Sequence, residues 1–399
     1  MSRGIFAEPD YVRLWIAGSI SSAIRWLDAL AFSVVAYQQT GSAFLVAMLM
    51  MLRLLPMGLF GAVFGALAER VQRRSVLLVI TAMMGVTSAA MTGLAWSGRL
   101  ATWHLAVAAF INGLGWLSDS TVRRLLLGEV VGPERVSAAV SFDSASSNLS
   151  RMLGPTAGGL LLAGVGVTGA FGLGAMLYVA AFVALAGMRY RNLIAPAGGP
   201  ATLSRIMGGV RLVRRDRRLM GVLVLTSIFN LFGWPATSMV PVLAQGRLAL
   251  GAEATGVLVS MDGLGALAAS LLIGTLARNG AHGRIYVAGT LLYFLAELGL
   301  AAAPTPWSAG VTVGLTGVAA ASFGIMQTTL IYLAAPAEMR SRVFGVLSAC
   351  IGIGPIGFLH LGLLADAIGA PLATAISGAE GLIAMAATRR WWIPLLRPL

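Results

Sequence analysis

Long apolar runs separated by short polar stretches fill this chain of 399 residues. In the first half they fall at about 11–38, 42–64, 75–96 and 103–130, around SSNLSRMLGPTAGGLL at 146–161, and at 169–188. In the second half they fall at about 219–244, 254–277, 285–303, 307–333, 343–365 and 371–387. Each is long enough to cross a hydrocarbon core of roughly 30 Å as a helix. The pattern predicts an all-α membrane protein with twelve transmembrane helices. Between the second and third runs lies GALAERVQRR, 65–74, a short connection rich in arginine. Excess arginine is favoured on the cytoplasmic side, so this loop orients the rest. Both termini and 189–218 are then expected in the cytoplasm, with Ser97 and Gly166 outside.

Composition agrees with this class. The chain is 58% hydrophobic and 11% charged, with a mean hydropathy of +0.85. Soluble globules carry about 25% charged residues, so a soluble fold is excluded. The net charge of +13 would suggest nucleic acid in a soluble protein. Here every basic residue is arginine and most lie between apolar runs, which makes them topology signals. A Walker sequence needs lysine, so no nucleotide site is expected. Cys350 is the single cysteine, and His104, His282 and His360 lie far apart, so neither a disulfide framework nor a metal centre is expected. The N-terminal stretch lacks a small-residue cleavage site after a short apolar region, and no cleaved signal peptide is expected.

The second half echoes the first. GTLARNGAHGR, 274–284, holds the place of 65–74; IGIGPIG carries Gly354 and Pro355 as the fifth run carries Gly154 and Pro155; and PAEMRSR echoes GPER. Three echoes in one order indicate a duplicated six-helix unit. The expected parts are an N-terminal bundle at 1–188, a linker at 189–218 and a C-terminal bundle at 219–399. Within the linker, Leu203, Ile206, Met207, Val210 and Val213 have near-helical spacing among arginines, which predicts an amphipathic helix on the inner membrane surface.

Ionisable groups inside the runs are the candidate chemistry. Arg25 and Asp28 stand at i, i+3 in the first, and Asp119 and Arg123 at i, i+4 in the fourth, spacings that allow pairing on one helix face. An ionisable group at such depth costs about 2.5–3.5 kcal/mol on insertion scales, and so should face protein or water. Either Arg25 and Asp28 only neutralise each other, or they bind substrate or protons. Asp28 is the first proton-coupling candidate and Asp119 the reserve. Arg124 and Glu129 are read as a solvated or paired mouth. Asp262, Glu297 and Glu380 also lie within runs and receive no role. Around the fifth run, Gly154, Gly158 and Gly159 allow close helix approach, and Pro155 removes a backbone donor and predicts a kink.

YQQTGSA after the first run, GALAERVQRR, SRMLGPTAGG, GVRLVRRDRRL before the seventh and AEMRSRVFGV entering the eleventh together resemble the major facilitator superfamily. The likeness covers nearly the whole chain and points to the branch of enterobactin exporters and drug:proton antiporters. Glu69 stands for the usual Asp of the loop motif and Gln72 for its second Gly. Ala109 aligns where antiporters often have Arg in helix four, and Arg25 where they often have Asp in helix one, which weakens transfer of a proton scheme. The resemblance implies helices one, four, seven and ten around a central cavity, reached by Arg25, Asp28, Asp119, Asn230, Trp234 and Gln327; helix packing explains the last three equally well. It implies conformational motifs at Gly65, Glu69, Arg70, Arg73 and Arg74, at Gly154, Pro155, Gly158 and Gly159, and at Arg340, Arg342, Gly354 and Pro355. Glu69 is expected to pair with Arg340 or Arg342 when the cytoplasmic side closes. The implied activity is secondary transport in a bacterial inner membrane. It is read as proton-coupled export of a drug-like or siderophore-like molecule by a monomer in lipid, without cofactor or nucleic acid. An importer, a lipid transporter or a non-transporting scaffold of the same fold are the alternatives.

Overall fold

Alanine, leucine and methionine, strong helix formers, carry most of the apolar runs, and in the computed structural model these runs are helices. The structure describes residues 5–132, 135–190, 210–276, 281–336 and 339–397, with side chains described except at 61–70, 120, 137, 274–276 and 341. In order, α1 is Pro9–Thr40, α2 Ala43–Arg70, α3 Arg73–Trp96 and α4 Thr102–Ser118. A π turn at Asp119–Arg123 leads into α5, Arg124–Val131, and α6 is Val136–Ala186. Next, α7 is Arg217–Ile228, followed by a π turn at Phe229–Gly233, a 3₁₀ turn at Trp234–Ser238, and α8, Met239–Gly246. The remainder are α9 Ala252–Leu276, α10 His282–Ala302, α11 Pro306–Ala334, α12 Arg340–Ile351, α13 Gly354–Ile368, α14 Ala370–Ala387 and α15 Arg389–Trp392.

Local chemistry fixes several boundaries. Asp216 accepts from the backbone N–H of Arg218 and Leu219 at 2.7 and 3.1 Å and so starts α7. Thr305 accepts from the N–H of Ser308 at 3.2 Å, and Pro306 opens α11, where its missing donor is harmless.

Among the described residues, ten helices are long and apolar enough to cross a membrane, against twelve runs in the sequence. The span at Ala138–Ala186 covers 49 residues and holds two helices merged across Gly166, whose φ of 66° leaves the helical region. The run at 102–131 is helical but broken by its π turn, and is not among the ten.

Three expectations change in detail. The arginine-rich loop is shorter than 65–74, because α2 continues to Arg70 and α3 begins at Arg73; GALAER contains nothing that stops a helix. Pro155 does not interrupt α6, since proline keeps a helical φ while losing one hydrogen bond; the break comes at Gly166. In the second half the equivalent pair does mark a break: α12 ends at Ile351, and Gly354 and Pro355 begin α13. The amphipathic linker helix lies mostly outside the described residues. Residues 210–215 are helical, with Val213 buried and Arg211, Arg214 and Arg215 exposed.

The chain forms two units. Unit 1 comprises Met1–Thr40, Leu52–Gly198 and Gly251–Val257; unit 2 comprises Gly41–Met51, Gly199–Leu250 and Leu258–Leu399. In unit 1, α1 packs along α6, which also packs along α3, around Tyr11, Leu14, Leu77, Leu126 and Leu185. Ile24, Met84 and Tyr178 continue this core. In unit 2, Val222, Tyr286, Phe294, Phe323 and Leu330 are buried together, and Phe229 stacks on Phe323 with ring centroids 4.0 Å apart. Outward side chains such as Val86, Met176, Leu271 and Ile383 are apolar and exposed, the surface that a hydrocarbon solvent selects.

Candidate functional site

Unit 1 joins three arginines and three aspartates in one connected network, all buried except Asp119, which is partly exposed. Helix α1 contributes Arg25 and Asp28, α2 contributes Arg53, α4 contributes Asn112 and Trp116, the π turn contributes Asp119 and Arg123, and α6 contributes Asp143. Arg53 Nε donates to Asn112 Oδ1 at 2.9 Å, and its NH2 donates to the Arg25 carbonyl at 2.8 Å. Asn112 Nδ2 donates onward to Asp28 Oδ2 at 3.1 Å. The Arg25 and Arg53 guanidiniums lie 5.7 and 5.6 Å from the Trp116 ring centroid. Arg25 NH2 is 3.5 Å from Asp119 Oδ2. Arg123 Nε pairs with Asp119 Oδ1, while its NH1 and NH2 reach Asp143 Oδ1 and Oδ2 at 2.5 and 3.0 Å.

The expected i, i+4 pair of Asp119 and Arg123 is present. Arg25 and Asp28 are not each other's hydrogen-bonded partners: Arg25 goes to Asp119 and Asp28 to Asn112. The reason is reach. Helix α4 presents an amide, and the π turn after it a carboxylate, to the two levels of α1, and these make better partners than a neighbour on the same helix. On its other side α4 comes close to α2, where a Cβ at Gly113 would lie 2.2 Å from the Arg53 carbonyl oxygen.

The three aspartates are compensated unequally. Both oxygens of Asp119 and of Asp143 accept from arginine. Asp28 accepts one amide bond, and its Oδ1 is buried without a partner. Asp28 lines a narrow cleft with Asn112, Ser88, Phe171 and Tyr178, whose hydroxyl is also buried without a partner. A second cleft, sharing Met84, is lined by Arg25, Trp116, Asp119 and Arg123. Both belong to unit 1. A π turn inside a helix frequently marks a functional site, and here it carries Asp119 and Arg123. Arg53, Asn112 and Asp143 were given no role by sequence; Arg53 carries the same signal as Arg25, a charge inside an apolar run, while Asn112 and Asp143 are single polar residues on otherwise ordinary helix stretches.

The second-half candidates form a hydrogen-bonded group in unit 2. Asn230, in its π turn, donates to the Thr226 carbonyl at 2.9 Å, and Gln327 donates to Thr226 Oγ1 at 2.7 Å. Tyr286 completes the group, with its hydroxyl 3.1 Å from the same Oγ1. Asn230 and Gln327 are buried, while Trp234 is partly exposed and packs against the core of unit 2.

The conformational motifs divide. Arg73 pairs with Glu129, and Arg74 donates to the Leu185 and Ala186 carbonyls at 3.1 and 2.6 Å, capping the end of α6. The side chains of Gly65, Glu69 and Arg70 lie outside the described residues, and with them the expected pairing of Glu69. Arg340 donates to the Ala335 and Tyr332 carbonyls, and Arg342 is half-buried. On α6, a Cβ at Gly154 would lie 2.7 Å from Trp26 Cβ, and one at Gly158 3.3 Å from Leu27 Cα; Gly159 is as tight against the Ala252 carbonyl, at 2.5 Å. The glycines therefore do seat neighbouring backbones closely. Asp262 is half-buried on α9.

Known proteins share this sequence pattern and fold. Residues 4–397 match the transmembrane secretion effector family. The enterobactin exporter EntS of Shigella boydii is 28% identical, with 94% of this chain and 90% of that protein covered. An uncharacterized MFS-type transporter of Bacillus subtilis, YfiS, is 25% identical over 93% of this chain and 90% of its own length. Macrolide efflux protein A of Streptococcus pyogenes is 20% identical, with 90% of each covered. Among solved structures, the nucleoside transporter NupG superposes with a TM-score of 0.76 at 12% identity, covering 97% of this chain and all of that one. A POT peptide transporter gives 0.75 at 14% identity, covering 99% and 97%. With a family match over nearly its whole length, exporters among its relatives and a transporter fold, the chain belongs to the transmembrane secretion effector family of major facilitator superfamily transporters.

Proposed function

We propose that this transporter exports a small organic molecule in exchange for protons, with Asp28 as the proton-binding group. One observation carries the reading: of the three aspartates in the buried network, Asp28 alone has an oxygen without a partner. A carboxylate that is only half compensated gains more from a proton than one held on both oxygens by arginine. Asn112 ties Asp28 to Arg53. A shift of α4 against α1 would change that tie and with it the affinity for the proton, which is how a conformational cycle can be linked to proton uptake and release.

Export of an enterobactin-like or macrolide-like compound is supported by the relatives that carry those titles. The bundles 1–188 and 219–399, each of six helices, would rock about a midplane site, with 189–218 as linker, in a bacterial inner membrane with both termini inside. Arg25, Asn230, Trp234 and Gln327 remain substrate-contact candidates in this scheme, with Asp119 held by two arginines as a structural group.

The test uses purified chain in proteoliposomes with an internal pH dye and an imposed pH gradient. Enterobactin and a macrolide serve as separate probes. Substrate-dependent proton movement is expected in the parent and its loss in Asp28→Asn, with downhill substrate flux retained. Uphill accumulation by Asp28→Asn equal to the parent's would remove Asp28 from the coupling role.

A further inference from the structure

Glu297 on α10 is 0% exposed, and neither of its carboxylate oxygens has a hydrogen-bond partner. Its polar neighbours come from α14 and are Ser377 and Glu380. Ser377 donates its hydroxyl hydrogen to the Phe232 carbonyl at 2.7 Å, and with that bond made it turns lone pairs toward Glu297. Glu380 Oε2 lies 2.7 Å from His360 Nε2 on α13. Among the described residues the other elements packed on α10 add no carboxylate and no cation: Tyr332, near the C-terminal end of α11, is its one ionisable residue, and the π turn at Phe229–Gly233 and the 3₁₀ turn at Ile393–Leu396 have none. Helices α10 and α14 approach closely in this region. A Cβ at Gly381 would lie 2.2 Å from the Phe294 ring, and one at Gly378 3.2 Å from the Phe294 carbonyl.

These groups are deep. His360 stands nine residues before the turn at Gly369 and Glu380 eleven after it, or roughly 14–17 Å at 1.5 Å per residue, about half of a 30 Å hydrocarbon core. Ionisable side chains at that depth are costly and usually serve a function. Among the described residues an ionised Glu297 would meet no cation, only the Ser377 hydroxyl and a second carboxylate. A protonated Glu297 becomes a donor, and the Ser377 lone pairs are then an acceptor. The ligand that satisfies the site is a proton. Its entry point is the His360–Glu380 pair, whose side chains are 36% and 34% exposed and whose imidazole has a nitrogen to accept a proton and another to donate one.

We propose that Glu297, Ser377, Glu380 and His360 form a second proton-binding site within unit 2, loaded through the His360–Glu380 pair and holding its proton on Glu297. The site shares no residue with the Asp28 network and does not depend on Asp28 being the coupling group. Binding adds one proton to one carboxylate and breaks no covalent bond.

The test is infrared spectroscopy of the full chain in lipid nanodiscs, with exchange into heavy water. A protonated-carboxyl band is expected in the parent and its loss in Glu297→Gln. Deuterium should shift that band in the parent, and the shift should slow by about tenfold or more in His360→Gln and Glu380→Gln, as removal of a proton-transfer group does. A parent-minus-Glu297→Gln spectrum without this band overturns the site, and an unchanged exchange rate in both relay variants overturns the entry path. A carbodiimide, which reacts with protonated carboxyls in apolar surroundings, gives a measurement free of mutation. Absence of an adduct on Glu297 of the parent by mass spectrometry also overturns the proposal.

Discussion

Asn112 donates to Asp28 Oδ2 at 3.1 Å while its own carbonyl oxygen accepts from Arg53 at 2.9 Å, so one amide links a buried acid to a buried base. This arrangement makes Asn112 a positioning residue. Asn112→Ala should leave the Arg53 Nε donor and Asp28 Oδ2 both unmet, at a cost of about 1–3 kcal/mol for each buried group stranded. Thermal unfolding in detergent should show a lowered midpoint, with Asn112→Gln intermediate. A midpoint equal to the parent's would mean that water replaces the amide.

Arg123 is the other hinge of the network, since it alone binds both Asp119 and Asp143. Removing one partner from a buried ion set costs about 3–5 kcal/mol because the remaining charges lose compensation. Arg123→Leu should therefore cut the yield of folded protein sharply. Adding Asp119→Asn and Asp143→Asn to Arg123→Leu should restore part of it, because the stranded charges are gone. A triple variant no better than the single would assign the loss to packing.

Close approach of α2 and α4 gives a steric prediction. At Gly113 the obstructing atoms of an added Cβ are the Arg53 carbonyl at 2.2 Å and Pro56 at 2.9 Å, neither of which can rotate away. Gly113→Ala should destabilise by about 1–3 kcal/mol, the usual cost of overpacking. Gly58, with nothing within 4 Å, is the control; Gly58→Ala should be neutral or stabilising by up to about 1 kcal/mol. Equal thermal shifts for the two variants would contradict the helix contact.

Orientation can be read by labelling. With Cys350 replaced by Ala, single cysteines at the exposed Ser97 and Arg214 should differ in intact cells. A membrane-impermeant maleimide should label the Ser97 variant and spare the Arg214 variant, because arginine-rich segments stay inside. The opposite result would invert the topology.

Much of this protein was settled by composition and periodicity. Runs of apolar residues in a chain with 11% charge can only be satisfied as membrane helices, because each helix meets its own backbone hydrogen bonds. The duplicated glycine–proline pairs, the arginine-rich connections and the i, i+4 pair of Asp119 and Arg123 were legible for the same reason: they depend on residues close in sequence. Partner choice was not legible. Arg25 goes to Asp119 and Asp28 to Asn112, 94 and 84 positions away, because helix packing sets which side chains meet at one level of a bundle. Nor could the sequence tell that Pro155 stays within a helix while Pro355 follows a break, since neighbouring helices decide how a lost hydrogen bond is absorbed. Glu297 received no role from its position in the chain. Only the tertiary structure leaves it without a counter-charge beside Ser377 and Glu380, because the absence of a partner is a property of everything packed around it.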